Sequence, residues 1–159
     1  MGFSSSGVNY NPQNLVVEEF ANGWYVNGQR LERLAPEDTL DKGCTRTIFQ
    51  NANFVLKVDG GYGWSRQARP QLECWQSVSQ SPDREFFAEL LACLKVYGQT
   101  VVVQRKYDLV SQELDIGNRA LLERLEATWL LSDVSSDERS NYGVTLDGKL
   151  IIYDYQICD

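Results

Sequence analysis

The sequence predicts an α+β protein in which helices and antiparallel strand pairs occupy separate stretches of the chain. Three observations carry the prediction. Strand-forming runs come in pairs joined by turn sequences, as in "TRTIFQ" and "NFVLKV" around Asn51-Ala52-Asn53, and in "NYGVTLDGKLIIYDYQ" around Asp147-Gly148. An Asp-Gly pair between apolar runs is a strong hairpin signal. Two other stretches space apolar residues at helical intervals: Leu72, Trp75 and Val78, then Leu121, Leu122, Leu125 and Trp129. The resulting order is strand pair, helix, short helix, strand pair, longer helix, loop and hairpin.

Residues 1 to about 13 are rich in Ser, Asn, Gly and Pro and read as a loose tail. The start "MGFSSS" fits an N-myristoylation pattern. No basic residues follow it, and one acyl chain anchors weakly, so a disordered tail is the expected reading. "LVVEEF" and "WYVNGQRLERL" flank Asn22-Gly23, with Asn27-Gly28 close behind, and predict short strands or a small hairpin. "APEDTLDKG" and the glycine-rich "DGGYGWSRQAR" read as connections.

Pro70 suits the first turn of the helix "PQLECWQSVSQ". Ser81-Pro82-Asp83 supplies a cap, a proline at the first helical position and an early acid, so a second helix starts there. Its body "REFFAELLA" runs into "CLKVYG", where periodicity does not separate helix from strand. "QTVVVQRKYDLV" reads as a strand from its β-branched content, and "DIGNRALLERLEATWLL" as the longer helix.

Composition narrows the function. At 159 residues and 43% apolar the chain suffices for one domain with a sizeable core. A net charge of −7 argues against direct nucleic-acid binding and against an acidic membrane surface, both of which need a basic face. No apolar run approaches a membrane span and no leader-like start is present, so a cytoplasmic protein is expected. The four cysteines, Cys44, Cys74, Cys93 and Cys158, are widely spaced and there is no histidine. A Cys/His zinc site is therefore not expected, and the thiols read as free and mostly buried. Without histidine, no Ser-His-Asp or Cys-His relay exists, and acid–base work falls to carboxylates, lysine or tyrosine. Trp64, Trp75, Trp129, Phe86 and Phe87 read as core or interface anchors, because no basic track accompanies them.

"GCTRTIFQNANFVLKVD", with a glycine turn, a strand and a second strand carrying a lysine, resembles the opening strands of protein-kinase-like proteins. The resemblance spans about residues 39 to 156, and its divergent hairpin is similar to that of small kinase-like proteins of bacteriophages. It implies a kinase-like antiparallel sheet with a helix packed on it, a truncated helical part and a closing β-hairpin. Residues 1–38 would form an N-terminal extension and 39–159 the minimal kinase-like domain. By the same resemblance Gly43 stands in the phosphate loop, Lys57 grips ATP phosphates and pairs with Glu73, and "TVVVQRKYD" leads to the adenine hinge. Asn141 and Asp154, thirteen positions apart, stand where such proteins hold magnesium, and Asp133 is the candidate base. Phosphoryl transfer depends on positioning and charge neutralisation, and magnesium on oxygen ligands with retained waters, so these residue types suit that chemistry.

Taken singly, the same residues read more plainly: Lys57 as a solvent-facing strand residue, Glu73 as a solvated helix charge, Asn141 as a turn residue and Asp154 as the exit of a strand. The sequence also departs from the family pattern. Gly43 is alone in its loop, the metal-binding turn reads Asp154-Tyr155-Gln156 without its glycine, and Ser136 occupies the position of the catalytic aspartate. No activation segment or substrate-holding lobe follows Asp154. These departures favour a non-catalytic kinase-like protein that binds a partner protein, such as a host enzyme or defence complex if phage-encoded. The alternative is a minimal ATP- and Mg2+-dependent phosphotransferase using Lys57, Glu73, Asn141 and Asp154.

Overall fold

"TRTIFQ" and "NFVLKV" do form an antiparallel pair, β6 (Arg46–Gln50) and β7 (Phe54–Asp59), with Lys57 opposite Ile48. The side chain of Asn51 closes their turn by accepting the backbone N–H groups of Asn53 and Phe54, both at 2.8 Å. Asn in this place satisfies two donors that a tight turn leaves unpaired. The computed structural model describes residues 9–34, 46–59, 68–131 and 142–153. The chain divides into two units, Met1–Arg69 with Leu90–Lys106, and Pro70–Glu89 with Tyr107–Asp159.

The first unit adds β1 (Asn9–Tyr10), β2 (Val17–Phe20), β3 (Gly23–Val26), β4 (Gln29–Arg30), β5 (Glu32–Arg33), β8 (Leu90–Val96) and β9 (Gln99–Arg105). A six-stranded antiparallel sheet has the order β1-β8-β9-β7-β6-β5, and β2-β3-β4 make a small second sheet. The chain passes directly from the small sheet to the large one at Leu31, between β4 and β5. At Asn27-Gly28 the predicted turn forms, with both residues at positive φ. Tyr97-Gly98 joins β8 to β9 in the same way, with φ of 49° at Tyr97, an uncommon conformation for a bulky residue.

Alternation along these strands sorts the side chains. Trp24 and Val26 from the small sheet and Leu31 from the passage between the sheets meet Leu56, Val58, Val101 and Val103 from one face of the large sheet, with Leu15, Leu91 and Ala92. Burying each large apolar side chain stabilises by about 1.5–3 kcal/mol, so this sandwich is the core of the unit.

One sequence expectation is corrected here. The helix starting at Ser81 is a single 3-10 turn, Pro82–Phe86, and "LLACLKV" is strand β8. The local signals were sound: Ser81 Oγ accepts the Asp83 N–H at 3.0 Å and Pro82 begins the turn. Tertiary pairing wins beyond it. Phe87 bridges to Ile152 in the closing hairpin, and β8 is held between β1 and β9. Likewise "QTVVVQRKYDLV" is two strands, β9 and β10 (Leu109–Ser111), broken at Lys106–Asp108, where the Lys106 N–H turns to Asn53 O at 2.9 Å.

The second unit contains α1 (Ala68–Val78), the 3-10 turn, α2 (Ile116–Trp129), β11 (Tyr142–Thr145) and β12 (Leu150–Ile152). The predicted Leu72, Trp75 and Val78 face of α1 is buried. On α2, Leu122 and Leu125 are buried, and Asp115 caps the helix by accepting the Asn118 N–H at 2.7 Å. The closing hairpin pairs Tyr142 with Ile152 and Val144 with Leu150, Gly148 supplies its left-handed residue, and β10 adds to the β11 edge. Asp83, just after the Ser81 cap, accepts hydrogen bonds from Arg124 at 3.0 and 3.3 Å and from the Trp129 indole N–H at 3.0 Å. That arrangement fastens the 3-10 turn to α2. No described helix is long and apolar enough to cross a membrane.

Candidate functional site: the polar face of the large sheet

The side of the large sheet opposite its apolar core has a different character. On β7 the alternation sends Leu56 and Val58 to the core and Lys57 to the other face. On the neighbouring β9 the same alternation sends Val101 and Val103 to the core, leaving Thr100, Val102 and Gln104 beside Lys57. Lys57 lies opposite Val102, which in turn lies opposite Cys93 of β8. Thr100 and Gln104 are therefore its diagonal cross-strand neighbours, roughly 7–8 Å away.

These residues are buried: Lys57 is 6% exposed, and Thr100 and Gln104 are each 1% exposed. They are three of the four buried polar or charged side chains among the described residues. Lys57 is thus not the solvent-facing strand lysine that it would be if taken alone. Holding an ammonium group in a sheet centre costs several kcal/mol of lost hydration. A site that does so needs anionic or hydrogen-bonding company, and none of the three is without an interaction.

Glu73 lies in the second unit, exposed on α1, with Leu72, Cys74 and Trp75 buried beside it in sequence. Gly43, Asp133, Asn141 and Asp154 lie outside the described residues, as do Trp64 and the 133–138 acidic loop. Among the described residues no group of three or more His, Cys, Asp or Glu is arranged to hold a metal. Cys74 and Cys93 are buried thiols outside any disulfide, and burial pushes the Cys74 thiol up to about 12. Their burial is what the sequence led one to expect of widely spaced thiols. Sequence reasoning missed Thr100 and Gln104. Their signal was parity: positions 100, 102 and 104 share a strand face, and pairing with β7 brings that face to Lys57.

An antiparallel sheet with a buried lysine on its central β7, a break at Lys106/Tyr107 where the strand ends, and a second unit of two helices and a hairpin make up a kinase-like α+β fold. Among solved structures the chain is similar to Legionella pneumophila Lpg2603 kinase bound to IP6, with a TM-score of 0.51 and 12% sequence identity. The likeness covers 98% of this chain but 65% of that kinase, so this chain spans under two thirds of its length. At that identity the likeness concerns the fold. No protein-family model matches the sequence, and no curated protein matches it.

Proposed function

We propose that this is a kinase-like protein that binds a phosphorylated ligand through the Lys57 face and acts by engaging a partner protein rather than by transferring phosphate. The burial of Lys57 on a polar sheet face carries the first half of the reading. A fixed, dehydrated cation on a rigid strand is suited to a phosphate group, because it attracts the anion without having to be ordered on binding. ATP with Mg2+ is the ligand implied by the family resemblance, with Gly43, Glu73, Asn141 and Asp154 completing the site. IP6, the compound bound to the Legionella kinase, is the second ligand to try.

The second half rests on the departures in sequence. A lone Gly43, Gln156 in place of glycine and Ser136 in place of the base leave Asp133, or Asp137 closer by, to activate an acceptor only through a remodelled loop. The partner would be a protein, and for a phage-encoded chain a host enzyme or defence complex. The likeness to a kinase supports one alternative, a minimal ATP/Mg2+ phosphotransferase with Asp133 as base.

Thermal-shift titration separates these readings. A ligand at a hundredfold excess over Kd stabilises by about 2.7 kcal/mol. ATP with Mg2+, or IP6, should raise the melting temperature of the wild type but not of Lys57→Met, which keeps side-chain length without the charge. Equal shifts in both proteins, or in neither, would remove the ligand assignment. Transfer of radiolabelled phosphate to the protein itself or to added protein, abolished in Asp133→Asn, would replace the partner-binding reading with the phosphotransferase.

A further inference from the structure

The small sheet has two faces, and only one is used by the core. Trp24, Val26 and Leu31 point inward. The alternate positions, Glu18 and Phe20 on β2, Tyr25 on β3 and Arg30 on β4, lie on the outer face, and Val16 stands just before β2 with the same parity. Two large apolar side chains there are open to solvent, Val16 at 54% and Phe20 at 52% exposure. The face is also ordered. The Phe20 and Tyr25 rings meet edge to face at 5.3 Å. The Arg30 guanidinium donates from Nε and Nη2 to Asn22 O at 3.3 and 3.1 Å, over the position where Gly23 lacks a side chain.

The strand register places Glu18, Tyr25 and Arg30 in one row across β2, β3 and β4. The row reads acid, aromatic, base. A two-fold axis parallel to the strands, passing above Tyr25, reverses it. Such an axis sets Glu18 of one copy against Arg30 of the next, Arg30 against Glu18, and Tyr25 against Tyr25, as a self-complementary interface requires.

We infer that the outer face of the small sheet is a self-association surface, and that its occupant is a second copy of this chain. The charge balance of the row favours that occupant over an arbitrary one. The chain carries −7 overall, so two copies repel in most orientations, whereas this row carries one charge of each sign and pairs them both when inverted. The patch is small and its anchors few, which makes the dimer transient and concentration-dependent. This inference is independent of the ligand proposed for Lys57.

Sedimentation velocity on the full chain from about 1 μM to about 1 mM, a range that spans weak affinities, tests it. The wild type should show reversible monomer–dimer exchange. Glu18→Arg, a change at an exposed position, should weaken the dimer at least tenfold by setting like charges against each other. The double variant Glu18→Arg/Arg30→Glu should restore association to within about threefold, because the inverted row is complementary again. Phe20→Asp, with the charge row intact, should abolish the dimer. A wild type that stays monomeric throughout the range overturns the inference and leaves the face to a foreign partner. A dimer indifferent to Glu18→Arg, or a double variant no better than the single one, overturns it equally.

Discussion

Asp83 illustrates how much one carboxylate can organise. It sits in the first turn after the Ser81 cap and accepts from both Arg124 and the Trp129 indole across the second unit. The Arg124 hydrogen bond holds the Asp83 carboxyl below its ordinary range against the opposing effect of burial, with lesser help from the Trp129 hydrogen bond and the Arg124 charge. The consequence for pH has a definite sign. A carboxylate with a depressed folded-state pKa contributes stability that is fully present above the unfolded carboxylate range, near pH 4. That contribution is lost as pH falls through the lower folded value. Arg124 is half exposed, so solvent screening keeps the contribution to about 1 kcal/mol. Asp83→Asn should therefore lower the melting temperature at pH 7 by a few degrees, and the gap to wild type should narrow on acidification below pH 4. A gap that stays constant with pH would mean that packing rather than charge holds this joint. Nothing in the local sequence pointed to Arg124 and Trp129, because the partners stand more than forty positions from Asp83.

Among the elements, the β10-β11-β12 sheet depends on a glycine that reads as incidental. A side chain added at Gly143 would place its Cβ 2.7 Å from Leu109 Cδ1 and 2.9 Å from Leu109 Cβ. β10 approaches β11 that closely, through a register irregularity between Leu109 and Ser111, because position 143 is empty. Gly143→Ala should cost about 1–3 kcal/mol by overpacking, measured as a shift in the urea midpoint at unchanged slope. Unchanged stability would mean that β10 can retreat freely. The hairpin itself was legible, since Asp147-Gly148 and the flanking apolar runs are local signals. β8 was not. Leu90, Leu91, Ala92 and Cys93 are all buried, so neither face of the strand shows the polar alternation that separates strand from helix. The helix signal at Ser81 was real but reached only one turn, because Phe87 found a strand partner in Ile152 that lies 65 positions along the chain.

At the scale of the whole molecule, the kinase-like α+β class was legible because it follows from the order of the elements and from a lysine placed on the second strand of a pair. The environment of that lysine was not. Lys57 has Thr100, Val102 and Gln104 of β9, far along the chain, beside it on the same buried face, and no window around "FVLKVD" contains that information. The unit boundary at Lys106/Tyr107 falls inside the stretch expected to lead to a hinge. The passage from β4 to β5 has a further consequence, for how the first unit opens. Leu31 donates its N–H to Trp24 O at 2.9 Å, and three residues later Leu34 donates to Ile48 O at 2.9 Å. One short segment is thus bonded to both sheets. The small sheet has no hinge by which to peel away alone, so its amides should exchange with deuterium only when the large sheet opens too. In native-state exchange the Leu31 amide should match the slow amides of Val101 and Val103 in both rate and denaturant dependence. A Leu31 amide that exchanges much faster would make the small sheet a separate opening unit. The predicted coincidence instead makes six strands and three a single cooperative body.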